Sequence, residues 1–497
     1  MLKRLETNWL SRSRPVTVPA VYQRVNYRLQ AHQQKVRTHM KTHDRLLVVH
    51  GTGSGKTLTS AYVAKDYIVA DPTRHIVVFV TPAAVSEQFR KSVSSVLPAS
   101  SGVYFTTYTG LTLFLHKLYK SRHETFQKMM KHTMIIADEA HYITDKSEKA
   151  RVFYTVLKNA DKVVLMTGTP IINGLITDLL PYAKILNPNV EIDLTNNYEK
   201  LFKCKISIYK VPDTSANFPR LLPTNRINFP LSNNNLKKVN LNREQKYEYT
   251  QWTGTQTTKK KRRSGWAFNR ALYTHGVFGN RVEPKFTKFL EVYRQRPKKT
   301  IVFFKEYVTL RRFEDFLKSQ GIAYRKVTGE ETNKSSIISQ NAPNSRMVYL
   351  LTSAAKEGLD FKGVRTLIFM DYPWVPSDYN QIVGRARRYQ SHMMLPRDER
   401  NVKVYEFVYT HPSKNTLNVR SLNILSTKRA RISAILDRLK FVSIERQRCV
   451  APRRIRVNNT NTNNRLRPRL NRLIVPNSGY AINPNTGNKY YIENLNI

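Results

Sequence analysis

The sequence predicts an α/β protein of two tandem, doubly wound parallel-sheet domains, with an inserted linker element between them and a basic C-terminal arm. Three observations lead there. Short apolar runs rich in β-branched residues recur in both halves, without polar alternation and with helical stretches between them. That is the pattern of parallel sheets covered by helices on both faces. The composition is globular, at 40% hydrophobic residues, and 497 residues suffice for two or three cores. Two segments break the pattern with polar, basic composition, and they mark the linker and the arm.

Taken in order, residues 1–24 form an N-terminal extension. Its start, MLKRLETNWLSRSR, lacks the apolar stretch of a signal peptide. It is basic like a transit peptide, but Glu6 and the missing amphipathic continuation argue against one. The first domain covers 25–185, with strands expected at Leu46–His50, Ile76–Thr81, Met134–Ala137 and Val163–Thr167. Residues 186–290 are rich in Asn, Lys and Tyr and read as a linker with a small, partly helical insertion. They carry the run Lys259, Lys260, Lys261, Arg262, Arg263, with Trp266 and Phe268 behind it. The run suits nucleic-acid binding, nuclear import or a solvated loop; the two aromatics suit core packing or base stacking. The second domain covers 291–445, with strands at Ile301–Phe304, Met347–Thr352, Thr366–Met370 and Val402–Val408. The tail, 446–497, holds Arg446, Arg448, Arg453, Arg454, Arg456, Arg465, Arg467, Arg469 and Arg472 with almost no acid. It is expected to order only on a partner.

No apolar run approaches the ~18–20 residues that span a bilayer, so no membrane partner is expected. The two cysteines, Cys204 and Cys449, are too few for a disulfide framework and have no metal-site spacing. A reducing compartment without zinc is the expectation. His39, His43, His132 and His141 are scattered, again without metal spacing. The charge is more informative: 83 basic against 35 acidic residues leave +48. Ordinary surfaces mix the two signs. An excess this large implies a polyanion partner, most commonly nucleic acid. Charge alone does not separate DNA from RNA, or a motor from a packing protein.

Two motifs carry chemistry. LLVVHGTGSGKT, residues 46–57, is a strand running through a glycine-rich turn into a helix. Gly51, Thr52, Gly53, Ser54 and Gly55 let backbone N–H groups face phosphate oxygens. Lys56 would meet the β- and γ-phosphates of ATP, and the Thr57 hydroxyl would bind Mg²⁺. His50 stands where the strict pattern has glycine. In MIIADEAH, residues 134–141, a buried strand ends in two adjacent carboxylates. Asp138 suits Mg²⁺ at the strand's C-terminal edge, and Glu139 suits the base that activates the attacking water.

Further on come TGTP (Thr167–Pro170), LLTSAAKEGLDF (350–361) and QIVGRARR (381–388). In this order the five motifs, spread over about residues 25–410, resemble the superfamily 2 helicases and translocases, whose motor is a pair of RecA-like domains. The resemblance implies that Thr167 and Thr169 couple the ATP state to domain movement. It implies that Thr352 touches a backbone phosphate and that Gly358 and Asp360 lie near the ATP ribose. Gln381 would sense the γ-phosphate, and Arg385 and Arg388 would act as arginine fingers. The fingers also have independent physics, since a cationic fork answers the charge that spreads over a transferring phosphoryl group. Gln33, in LQAHQ, stands where family members read adenine, and His141 would link the ATP site to the nucleic-acid side.

The GRARR spacing is closer to duplex translocases of the Swi/Snf type. The extension RRYQSHMMLPRDERNVKVYEFV (387–408) is similar to NTPases of large cytoplasmic DNA viruses, the group that includes the poxvirus early transcription factor small subunit and nucleoside triphosphate phosphohydrolase I. The resemblance therefore implies a nucleic-acid-dependent ATPase using ATP and Mg²⁺. Duplex DNA is favoured over RNA, with a viral transcription complex or RNA polymerase as partner and the virion and host cytoplasm as location; a non-viral relative would sit in the nucleus. An RNA helicase or transcript-release factor is the alternative within the class. A basic virion nucleoprotein with a vestigial ATPase is the alternative outside it.

Overall fold

The structure, a computed structural model, describes residues 27–71, 75–97, 102–112, 123–143, 148–211, 217–230, 283–305, 307–328, 345–353, 361–373, 375–412, 416–450, 480–482 and 489–491. The chain divides into a main unit, residues 1–451, and a C-terminal unit, residues 452–497. In the latter, Tyr480–Ile482 and Lys489–Tyr491 pair antiparallel.

In the main unit, β1 (Arg45–His50), β2 (Ile76–Thr81), β3 (Val103–Thr107), β4 (Thr133–Asp138), β5 (Lys162–Thr167) and β6 (Ile206–Tyr209) form a six-stranded sheet in the order β3-β2-β4-β5-β1-β6. Every pair in it is parallel. Successive residues of β1 serve opposite faces. Leu47 and Val49 pack into one apolar cluster, Leu46 and Val48 into another. Helices cover both faces, so the inner strands β1, β2, β4 and β5 are buried along nearly their whole length.

A second parallel sheet holds β7 (Arg220–Leu221), β8 (Asn225–Pro230), β9 (Thr300–Phe303), β10 (Tyr324–Val327), β11 (Val348–Leu351), β12 (Thr366–Phe369) and β13 (Asn401–Thr410). Its order is β10-β11-β9-β12-β13, with β7 and β8 both pairing with β13. Ile301 and Phe303 face one cluster, Val302 and Phe304 the other. The two sheets are tandem RecA-like domains. The helix Leu417–Phe441 packs on β13 with one part and on β6 with another, so it bridges the two domains. No helix of the described residues is long and apolar enough to cross a membrane.

Three expectations need correction. First, residues 186–290 are not simply a linker. β6 extends the first sheet, while β7 and β8 extend the second, and their sparser apolar content is that of edge strands. Residues 231–282, with the Lys259–Arg263 run, Trp266 and Phe268, lie outside the described residues. Second, Cys204 and Cys449 are bonded to each other across 245 residues of sequence. The bridging helix carries Cys449 back to the first domain, a proximity that spacing along the chain cannot reveal. Third, residues 446–450 belong to the main unit, with Arg446 N–H donating to Ser443 O. Most of the basic arm, 451–479, 483–488 and 492–497, lies outside the described residues, as does the extension 1–24.

Candidate active site

The loops that follow parallel strands collect at one edge of the sheet, where ligands bind in such folds. Strand order decides which loops meet. β5 lies between β1 and β4, so the TGTP loop sits between the glycine-rich loop and the Asp138–Glu139 pair.

The glycine-rich loop is held by β6 and by the helix before β1. Gly51 N–H donates to Tyr209 O at 3.0 Å, which ties it to β6. Gln33, buried on the helix Ala31–Thr42, donates through Nε2 to Ser54 O and Gly55 O, both at 3.2 Å. Its Oε1 accepts from Gln30 N–H. Gly55 has φ 79°, and a Cβ there would collide with the Gln33 amide, so only glycine fits. Lys56 begins the following helix, and its Nζ donates to His50 O at 3.0 Å.

At the end of β4, Asp138 is buried, and its Oδ1 has no hydrogen-bond partner among the described residues. Burial and then the neighbouring Glu139 charge push its carboxyl up, while Lys56 pulls it down. Glu139 has left-handed backbone, φ 51°, which turns it out of the strand. Burial disfavours its charge, but the His141 hydrogen bond and Lys56 outweigh that and hold its pKa below the usual carboxylate range. His141 Nδ1 lies 3.2 Å from Glu139 Oε2 and 3.2 Å from Thr167 Oγ1. Thr167 Oγ1 accepts in turn from Thr169 N–H at 3.0 Å. One imidazole thus joins the carboxylate to the TGTP loop.

The second domain closes the site through the helix Pro376–Ala386. A Cβ on Gly384 would fall 2.9 Å from Thr52 Cγ2, so glycine lets this helix lie against the first domain's loop. A cavity of about 350 Å³ results, lined from one domain by Thr52, Gly53, Gly55, Lys56, Thr57, Asp138 and Glu139, and from the other by Gln381, Arg385, Arg388 and Tyr389. Gln381 and Arg385 are buried. The cavity holds positive groups opposite two carboxylates, as a bound polyphosphate with a metal ion requires.

Other expected residues fall elsewhere. Gly51 and Ser54 shape the loop without lining the cavity. Thr352 follows β11 directly and is not among the lining residues. Gly358 and Asp360 lie outside the described residues. The structure adds Val85, Gln88, Phe89 and Ser92 to the lining. Their spacing, i, i+3, i+4, i+7, marks one helix face and is visible in the sequence. Phe218 also comes in: its ring packs over Gly53 and edge-to-face on Tyr389, a contact across 171 residues that no local pattern signals.

The same extension explains its SH dipeptide. Ser391 Oγ donates to Arg388 O at 2.9 Å and accepts from Arg388 N–H at 3.2 Å. His392 Nε2 lies 2.6 Å from Val364 O. The pair fastens the end of the arginine-bearing segment to the second domain.

Comparison with known proteins agrees with two tandem helicase-type domains. Residues 21–172 match the family model of the type III restriction enzyme res subunit, and residues 284–390 match that of the helicase conserved C-terminal domain. A protein of Acanthamoeba polyphaga mimivirus described as an ATP-dependent RNA helicase is 24% identical, over 78% of this chain and 90% of its own. Nucleoside triphosphatase I of Heliothis armigera entomopoxvirus is 24% identical, over 82% of this chain and 77% of its own. The same enzyme of Choristoneura biennis entomopoxvirus is 23% identical over the same shares.

Proposed function

We propose that this chain, a superfamily 2 helicase and ATP hydrolase similar to those of large DNA viruses, is a nucleic-acid-stimulated motor that works on duplex DNA during viral transcription. The observation that carries the motor reading is the shared cavity, with Lys56, Asp138 and Glu139 on one domain and Gln381, Arg385 and Arg388 on the other. Neither domain alone has a complete set, so hydrolysis depends on the two being closed together.

Lys56 leaves the His50 carbonyl for the β- and γ-phosphates. Gln33 braces the loop, and an adenine contact by it remains part of the proposal. Thr57 and Asp138 would hold Mg²⁺, which suits the unpartnered Asp138 Oδ1. Such an ion draws charge from the phosphates and fixes their geometry. Glu139, ionised at neutral pH and oriented by His141, takes the proton of the attacking water. Gln381 contacts the γ-phosphate, and Arg385 and Arg388 neutralise charge growing on its oxygens. The His141–Thr167–Thr169 chain passes the state of that phosphate toward the nucleic-acid side, where Thr352 contacts the backbone. The ribose contacts of Gly358 and Asp360 belong to the same proposal.

The +48 charge supports a polyanion track, and the GRARR spacing supports a duplex. A second reading, an RNA-dependent helicase, is favoured by the description of the mimivirus relative. One assay separates the two. ATP turnover is measured with saturating duplex DNA, single strands, RNA and heparin. Duplex DNA is expected to raise kcat about tenfold or more, because a ligand touching both domains favours their closure. Heparin should bind without stimulating. A larger response to RNA would favour the second reading, and equal stimulation by heparin would sink the motor.

A further inference from the structure

We infer that residues 442–449, the segment after the bridging helix, form a latch that positions the nucleotide-binding loop, with Glu445 as its positioning residue. The inference deepens the ATP-site reading above and rests on it.

The latch lies along the outer side of β6. Cys204 N–H donates to Val442 O at 3.0 Å, and Ile444 N–H donates to Ile206 O at 2.9 Å. Ile444 is buried in the cluster behind β1, and Cys449 packs against the same cluster. Glu445 uses both carboxylate oxygens on β6. Oε1 accepts from Ser207 Oγ at 2.5 Å and Oε2 accepts from Ile208 N–H at 3.0 Å. Its backbone carbonyl accepts from Lys35 Nζ, on the helix that also carries Gln33. The Cys204–Cys449 bond holds the far end of the segment.

From Ser207 the chain of contacts runs into the loop. With its hydroxyl proton given to Glu445, Ser207 Oγ is left to accept from His50 Nε2, 2.8 Å away. His50 is fully buried and stays neutral, since burial holds its pKa at about 2. Its carbonyl is the one that receives Lys56 Nζ. Tyr209, two residues beyond Ser207, accepts the Gly51 N–H and stacks on His32, whose Nε2 lies 3.0 Å from Ser54 O. Four positions of the loop region, 50, 51, 54 and 56, are therefore referred to β6: 50 and 51 directly, 54 through His32 and 56 through His50. β6 is an edge strand whose outer partner is the latch. This gives His50 a reason to replace glycine: a side chain here reaches β6, and a glycine could not.

Loosening the latch should let the loop lose its preset shape before nucleotide arrives, which weakens binding without touching the groups that act in the transition state. The test uses the full chain. Affinity for a non-hydrolysable ATP analogue is measured by calorimetry, alongside kcat at saturating ATP. Glu445→Ala is expected to weaken affinity about tenfold, the equivalent of one charge-assisted hydrogen bond, with kcat within about twofold. Glu445→Gln, which keeps carbonyl acceptance, should recover part of the loss. In wild type, dithiothreitol gives two electrons and two protons to the disulfide, leaving two thiols and the cyclic oxidised dithiol. That treatment should also weaken affinity, reversibly on adding glutathione disulfide, and Cys449→Ser should abolish the response. Unchanged affinity in both Glu445 variants, or an equal fall in kcat, would overturn the latch. Because binding is read directly, a wild type that binds ATP but does not hydrolyse it would overturn the motor reading and leave the latch standing.

Discussion

In the proposed mechanism Lys56 and Glu139 meet the same nucleotide at different moments, so substituting each should separate binding from chemistry. Lys56 would act on phosphates already present in the ground state, so Lys56→Ala should weaken nucleotide binding. Glu139 would act on the water; its pKa is held below the usual carboxylate range with His141 3.2 Å away. Glu139→Gln should therefore bind ATP with near-normal affinity and lose about 10²–10⁴-fold in single-turnover rate. Near-normal turnover in Glu139→Gln would show that another group activates the water. These two residues are legible in the sequence because their chemistry fixes residue type at fixed spacing beside a strand. Glu445, Ser207 and Phe218 are not. Each acts through a contact far away along the chain, and a lone glutamate or serine has no local signature. His50 is the intermediate case. The departure from glycine is visible at once, yet its reason lies at Ser207, 157 residues on.

At the scale of elements, the strands foretold by continuous apolar runs are those buried on both faces, among them β1, β2, β4, β5, β9, β11 and β12. β3 and β8 escaped because each alternates exposure along its length, and edge position removes the need for an unbroken apolar run. The bridging helix Leu417–Phe441 was likewise hidden, since a helix serving two domains has no single apolar stripe. The turn in the loop that it meets after TGTP can be tested. Gly174, at φ 74°, faces Lys428, whose Cα and carbonyl oxygen would both lie 3.4 Å from an added Cβ. Asp178 holds the loop there by accepting from Ile172 and Asn173 N–H. Gly174→Ala puts a side chain into left-handed backbone, where the helix leaves it at ordinary contact distance, so the strain lies in the backbone. It should cost about 1–2 kcal/mol, read as a lower urea midpoint with an unchanged slope. An unchanged midpoint would mean that the loop does not hold this left-handed turn in solution.

Across the whole molecule, stability should fall as the medium is acidified below neutrality, and buried histidines set the direction. Burial lowers the pKa of His32, holds His39 and His392 at about 4, and holds His50 at about 2, against 6.5 in an unfolded chain. Between those values the unfolded chain takes up protons that the folded one refuses. Unfolding is then favoured as pH falls, by up to about 1.4 kcal/mol per pH unit for each such histidine. Asp138 works the other way, because its raised pKa lets the folded chain bind a proton first. One group of that sign does not balance four of the other. The histidines also sit in both RecA-like domains, His392 in the second and the rest in the first, so neither domain escapes. Urea midpoints at pH 7.5 and pH 5.0, at matched ionic strength, should show a clear loss at the lower pH. His392→Gln should reduce the pH dependence even if it lowers stability at pH 7.5. A midpoint that holds steady or rises toward pH 5.0 would mean that these imidazoles are hydrated, and that the fold does not keep them neutral.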